Sequence, residues 1–177
     1  MLLPENLTPY RIGGLEMKVL APEDKPAMMA LQREALSALP DPRWYFPSEE
    51  WEFDSWLKNG EAVGYLDGDT LAGYAVATPY ALRGEHSYAL ILGDPPENTF
   101  DFHDVIVRAE YRRRGIQGSF LRLFTCIARL AGGTAIYATV DPDNGASWRN
   151  FEREGYEQAA LRNAYDGRPR RYYRKKL

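Results

Sequence analysis

The sequence predicts a mixed α/β fold of about seven strands flanked by about four helices, and three observations carry that prediction. A β-branched segment, Val105-Ile106-Val107, runs through a basic turn into a helix whose apolar residues Ile116, Phe120, Leu123, Ile127 and Leu130 share one face. Residues 61–66 and 70–78 read as two strands around the Asp67-Gly68-Asp69 turn. Residues 156–165 and 170–177 read as a closing hairpin around Asp166-Gly167-Arg168-Pro169.

Taken in order, residues 1–14, with Pro4, Pro9 and the Gly13-Gly14 pair, are a loose lead-in, and 15–20 form a short first strand. Pro22-Glu23-Asp24-Lys25-Pro26 opens a helix, since acids and proline suit a first turn. Met28, Leu31, Ala35 and Leu39 give its buried face, and Pro40 and Pro42 end it. Ser48, ahead of two glutamates, is the expected N-cap of a second short helix. Residues 79–96 are loop-rich, with an apolar run at 88–92 that reads as an extra strand or a lid. Residues 99–107 form the next strand, and Gly132-Gly133 ends the helix after it. Residues 134–140 are an apolar, β-branched strand, and Asn144 caps a short helix ending near Gly155. The basic residues Arg170, Arg171, Arg174, Lys175 and Lys176 suggest a solvated edge strand, whose charges block sheet-to-sheet association.

Composition narrows the class. With 177 residues, 45% hydrophobic and 27% charged, the chain is expected to form one soluble domain, residues 1–177. Such a chain buries roughly 70% of its unfolded surface and needs no disulfide or metal staple. Cys126 has no partner cysteine and reads as a small core residue, and two histidines with one cysteine are too few for a zinc site. No secretory leader and no apolar run near 18 residues is present, so a cytoplasmic protein without a membrane span is expected. Asn6-Leu7-Thr8 then matches a glycosylation acceptor by chance. The net charge of −3 argues against broad nucleic-acid binding.

The strand–turn–helix at 105–130 is a natural anion site. First-turn N–H groups lack helical partners, the helix dipole is positive there, and glycine admits a phosphate close to the backbone. Arg112, Arg113 and Arg114 add charge at the same point. A P-loop fails because no lysine follows Gly118, and a dinucleotide fingerprint fails because only Gly115-x-x-Gly118 is present. A basic turn without a ligand is the remaining alternative on this segment alone.

The pattern Arg112-x-x-Gly115-x-Gln117-Gly118 after Val105-Ile106-Val107 resembles the acyl-CoA pyrophosphate loop of the GNAT N-acetyltransferase superfamily. Gln117 departs from the small residue of that motif, and glycine follows one position later. Asn144-Gly-Ala-Ser147-Trp-Arg-Asn-Phe151-Glu-Arg-Glu-Gly155-Tyr156 resembles the family's later motif. Two motifs in the right order, separated by one helix and one strand, extend the resemblance over nearly the whole chain.

That resemblance implies a twisted mixed sheet, with acyl-CoA wedged where the fourth and fifth strands part. It implies acetyl-CoA (coenzyme A) as the bound donor, with pantetheine along the backbone of Val105, Ile106 and Val107. Diphosphate contacts then fall on Arg112, Arg113, Arg114, Gly115, Ile116, Gln117 and Gly118. Asn144 matches a residue that contacts the pantetheine arm or lines the site. Phe151 stands where many members carry the tyrosine that protonates the leaving thiolate; Tyr137 and Tyr156 are the possible substitutes.

Asp101 and His103 alternate onto one strand face with Val105 and Val107, where some members place a base or proton relay. His103, with an ordinary pKa of about 6.5, accepts a proton near neutrality. Asp104 points to the opposite face and ranks lower. Trp44, Tyr45, Phe46 and Trp51, interleaved with Asp41, Glu49, Glu50, Glu52 and Asp54, have two open readings. They dock the second helix on the sheet, or they wall an acceptor pocket suited to an amine. The expected activity is acetyl transfer to a small-molecule or peptide amine by direct attack in a ternary complex. A non-catalytic acyl-CoA sensor, or an enzyme using another acyl group or acceptor, is the alternative. A homodimer is left open; nucleic acid and membrane are not expected partners.

Overall fold

Strand and helix boundaries fall close to where residue spacing places them. The computed structural model describes residues 12–164 and 167–177. Most of the predicted lead-in, including Asn6-Leu7-Thr8, lies outside these residues, as do Tyr165 and Asp166 of the predicted closing turn. The strands are β1 (Glu16–Val19), β2 (Ala62–Asp67), β3 (Thr70–Pro79), β4 (Thr99–Val107), β5 (Ala135–Val140), β6 (Glu157–Asn163) and β7 (Pro169–Lys176). The helices are α1 (Lys25–Ser37), α2 (Glu50–Lys58), α3 (Tyr80–Arg83), α4 (Tyr88–Leu92), α5 (Ile116–Leu130) and α6 (Gly145–Arg153). The sheet runs β1-β2-β3-β4-β5-β7-β6. It is mixed: β4 and β5 are parallel from Thr99↔Ala135 to Phe102↔Ala138, whereas β1–β2, β2–β3, β5–β7 and β6–β7 are antiparallel. Among the described residues no helix is long and apolar enough to cross a membrane.

The chain divides into two compact units, one holding its described residues up to Val76 together with Asp104–Phe120, the other Ala77–His103 together with Leu121–Leu177. In the first, Phe53, Trp56 and Leu57 of α2 lie at helical spacing and pack with Met28 and Leu31 of α1 against Tyr74, Val76 and Ile106. Phe53 meets Trp56 and Tyr74 edge-on at 5.3 and 6.4 Å. The β2–β3 hairpin closes with Asp67 opposite Thr70, and Gly68 takes φ +56°, as a two-residue turn of this hand demands. A methyl group at Gly73 would lie 2.8 Å from the Ile106 carbonyl oxygen, so glycine permits close approach of the backbone there.

In the second unit an aromatic stack forms the centre. Phe151 lies 5.8 Å from Phe102, 5.2 Å from Tyr156 and 5.7 Å from Tyr173 between ring centroids. Leu123 and Ile127 of α5 are buried as predicted, but Leu130 is 62% exposed, because burial along α5 ends at Ala128.

Two further expectations are corrected. The apolar run at 88–92 is the short helix α4, not a strand. The Ser87 hydroxyl accepts from the Ala89 N–H, and Gly93 at φ +80° closes the other end. Its Tyr, Ala and Leu residues lack the β-branching that favours strands, apart from Ile91. The basic strand β7 is interior rather than an edge, lying between β5 and β6. Its cations have specific partners: Arg170 pairs with Asp141 and Arg174 with Asp94, Arg171 stacks over Trp148 at 4.5 Å, and Lys175 donates to the Glu154 carbonyl.

Candidate active site

In the first unit, β4 hands over to α5 through a turn held almost entirely by its own groups. The Arg108 N–H donates to the Ala72 carbonyl at 2.9 Å, and its guanidinium pairs with Glu34. A short 3-10 turn, Ala109–Tyr111, follows. Arg112 Nε donates to the Val107 carbonyl at 3.2 Å. Arg114 donates to the Glu110 carbonyl and lies 4.9 Å above the Tyr111 ring. The three arginines are therefore not equivalent: Arg113 is exposed and, among the described residues, engages no other side chain.

Arg113 and Gly115 both take left-handed backbone, at φ +62° and +80°. For arginine this conformation is strained by about 1–2 kcal/mol, and such strain collects at functional turns. Two left-handed residues so close together curl the chain before α5 begins. The Ser119 N–H closes the first helical bond onto Gly115 at 3.0 Å, which leaves the amides of Ile116, Gln117 and Gly118 as first-turn donors. The Ile116 side chain is buried, and Ser119 Oγ lies 2.7 Å from the hydroxyl of buried Tyr65, so the helix start is fixed. This turn offers backbone N–H groups, a positive helix end and one uncommitted guanidinium, a set that fits a diphosphate. On β4, Ile106 is buried in the core while Val105 and Val107 are half-buried on the alternate face.

Of the four predicted acceptor residues, only Tyr45 is an anchor. Its hydroxyl donates to Asp104 Oδ2 at 2.8 Å and lies 3.0 Å from Gln32 Oε1. Trp44 is half-buried; Phe46 and Trp51 are 47% and 64% exposed, and Trp51 Nε1 donates to Glu49. Ser48 does not cap α2. Glu49 holds that position in a capping box with Glu52, and the Ser48 hydroxyl donates to Asp104 Oδ2 at 3.1 Å instead. Asp104 is thus the residue that sequence reasoning underrated: alternation gave its face but not what covers it. Burial pushes its carboxyl up to about 6, although hydrogen bonds from Tyr45 and Ser48 act in the other direction.

The second unit holds the two predicted proton-transfer residues. Asp101 is 1% exposed; its Oδ2 accepts from the Tyr88 N–H at 2.9 Å and lies 3.5 Å from Arg83 Nε. Its Oδ1 is buried and accepts no hydrogen bond among the described residues. Burial pushes Asp101 up to about 7, and Tyr88 and Arg83 recover only part of that cost. His103 lies against Tyr88, ring centroids 5.9 Å apart. Burial, with the nearby Arg83 charge second, holds His103 well below the ordinary histidine pKa. Its imidazole is accordingly neutral and a weaker base than an unperturbed histidine. Buried Asp101, by contrast, titrates near neutrality, where a general base works best.

Asn144 caps α6 as predicted, its side chain accepting from the Ser147 N–H at 3.1 Å. Phe151 is 2% exposed within the aromatic stack, a core position. The Tyr137 hydroxyl donates to Asp94 at 2.9 Å, and burial raises the pKa of both Tyr137 and Tyr156.

The acetyltransferase (GNAT) family model matches residues 26–156. The chain belongs to this family. The match takes in β4, the left-handed turn, α5 and the Asn144 cap together. No curated protein matches the chain in sequence. Among solved structures, the ribosomal-protein-S18-alanine N-acetyltransferase from Escherichia coli is similar at 18% identity and TM-score 0.67, covering 92% of this chain and 94% of its own. A GCN5-related N-acetyltransferase from Kribbella flavida is similar at 18% identity and TM-score 0.69, covering 93% and 98%. The protein yncA from Salmonella typhimurium, solved with its cofactor acetyl-CoA, is similar at 15% identity and TM-score 0.69, covering 93% and 94%. These likenesses establish the GNAT fold.

Proposed function

We propose that the chain is an acetyl-CoA-dependent N-acetyltransferase that passes the acetyl group directly to an amine. The observation that carries this reading is the left-handed turn at Arg113 and Gly115, which opens α5 with its first-turn amides beside an uncommitted arginine. Acetyl-CoA supplies the electrophile, an acetyl thioester. In the first unit, amides of Ile116, Gln117 and Gly118 with Arg113 hold the diphosphate, and the backbone of Val105–Val107 aligns the pantetheine arm. The yncA structure with acetyl-CoA supports the choice of donor.

In the second unit, Asp101 is the proposed base. An amine with a pKa near 10.4 is almost wholly protonated at neutral pH and must lose a proton to attack. Asp101 takes the first proton from the ammonium group; as the neutral nitrogen bonds to the acetyl carbon and the carbon–sulfur bond breaks, the nitrogen's second proton passes to solvent and the thiolate leaves. A thiol pKa of about 8.5 makes that thiolate a tolerable leaving group, so Phe151 in place of a hydroxyl donor is no bar. In this reading His103 and Asn144 are the second unit's further candidate residues, and Trp44, Phe46 and Trp51 are the first unit's candidate acceptor contacts. The ribosomal-protein-S18-alanine enzyme acts on a protein, which keeps peptide amines among the candidate acceptors beside small molecules.

The test is free-thiol release from acetyl-CoA across a panel of small amines, polyamines and peptides with free N-termini. Amine-dependent release well above the no-amine rate is expected for at least one class. Tight acetyl-CoA binding with no release from any amine would instead favour a sensor.

A further inference from the structure

We propose that Asp104 is a positioning residue for the acceptor: its carboxyl group, through Tyr45 and Ser48, fastens the Trp44–Trp51 segment to the strand that carries the coenzyme. The inference rests on the acetyltransferase reading and assigns that enzyme's acceptor wall a specific anchor. Residues 41–49 hold no α-helix or strand, so backbone pairing cannot locate them. Side chains from two elements do this work instead. Asp104 Oδ2 on β4 accepts from both the Tyr45 and Ser48 hydroxyls. Gln32 on α1 pairs both backbone groups of Ser48, donating from Nε2 to its carbonyl at 2.9 Å and accepting from its N–H at 3.0 Å. Between and beside these two anchors, Trp44, Phe46 and Trp51 remain wholly or partly exposed.

The register of β4 explains why this position matters. His103, Val105 and Val107 are half-buried on one face, and Asp104 and Ile106 are buried on the other. One strand therefore fixes the coenzyme-side backbone and the acceptor-side segment at adjacent residues. A polar anchor specifies register more narrowly than an apolar contact of the same size, which slides at little cost.

The groups acting on Asp104 are Tyr45 and Ser48 from the segment, Tyr74 from β3 and the Glu52 charge from α2, with Gln32 of α1 meeting the Tyr45 hydroxyl. The sign of the linkage follows from the raised pKa. Peeling the segment away hydrates the carboxyl and returns it to an ordinary value of about 4. Closure is accordingly favoured most when Asp104 is protonated, and opening becomes easier as pH rises through about 6.

Trypsin cleavage after exposed Arg43, followed by mass spectrometry on the intact chain near pH 8, tests this anchor. Asp104→Ala should raise the cleavage rate at least about tenfold, a floor below the loss expected for two hydrogen bonds to a charged group. Asp104→Asn, which keeps a donor and an acceptor without the charge, should restore wild-type protection or better. Its melting temperature relative to wild type should climb from about pH 4 to about pH 6 and level off above that. Affinity for acetyl-CoA by calorimetry should stay within about threefold in both variants. If Asp104→Ala cannot be folded, the Tyr45→Phe/Ser48→Ala double variant removes the same hydrogen bonds and should open the segment equally. Cleavage at the wild-type rate without these bonds, or no protection by asparagine, overturns the proposal. Selective loss of acetyl-CoA affinity would also overturn it, placing Asp104 on the coenzyme side. Absence of acetyl-CoA binding by the wild-type protein itself would sink the donor reading, while the cleavage comparison would still decide what Asp104 holds.

Discussion

Asp101→Asn is expected to lower turnover by about two to three orders of magnitude, the range in which general-base catalysis contributes. The variant should also lose the rising limb of the pH–rate profile near pH 7. With its pKa pushed up to about 7, Asp101 is about one-tenth ionised at pH 6 and about nine-tenths ionised at pH 8, and only the ionised form accepts a proton. Folding moves the other way. The raised pKa means that the carboxyl's contribution to stability is complete below about pH 4 and is lost as pH rises through about 7. Asparagine carries no such cost, so the variant should melt no lower than wild type near pH 8. Lost activity in a protein at least as stable separates proton transfer from folding. An unchanged rate and an unchanged limb would remove Asp101 from the mechanism and leave His103 as the next candidate.

Asp141→Ala is expected to cost about 3–5 kcal/mol, the loss typical of breaking a buried ion pair by removing one partner. Arg170 and Asp141 meet at 2.7 Å with side chains only 3% and 8% exposed. The guanidinium of Arg170 would remain buried without the carboxylate that faces it at 2.7 Å. The second carboxylate oxygen accepts from the Asp143 N–H at 2.9 Å, and the Asp141 carbonyl accepts from the Asn144 N–H at 3.1 Å. The pair therefore also shapes the turn that presents Asn144 at the start of α6. Against a total stability of about 5–15 kcal/mol, the loss is a large fraction. Urea unfolding at neutral pH should show a lower midpoint with an unchanged slope. A loss below about 1 kcal/mol would mean that the pair is hydrated in solution.

Sequence pattern reached far into this fold because most of its signals are local. Period-two burial in β4, the Asp-Gly hairpin, the glycines closing α5 and the Asn144 cap each act within a few residues. The errors arose where a distant partner decides. The five-residue run at Tyr88–Leu92 was too short for periodicity to separate strand from helix, although Ser87 and Gly93 are cap residues and carried the signal. Nothing near Arg170 or Arg174 announces carboxylates 29 and 80 residues away, so an interior strand read as a charged edge. Ser48 reads as the cap of the nearer helix because its true acceptor, Asp104, lies 56 residues on. Alternation puts His103 and Asp101 on one strand face, but their proton affinities depend on burial by elements the spacing does not reveal.

Coenzyme binding in this protein rests on the grip of the Arg113–Gly118 turn on a diphosphate. Titration calorimetry of the wild-type protein with acetyl-CoA, set against S-acetylpantetheine, isolates that grip, because the second ligand keeps the thioester and arm but lacks the nucleotide diphosphate. Acetyl-CoA should bind one equivalent at least about a hundredfold more tightly than the truncated thioester. Equal affinity for the two, or no heat from acetyl-CoA with folded protein, would contradict it.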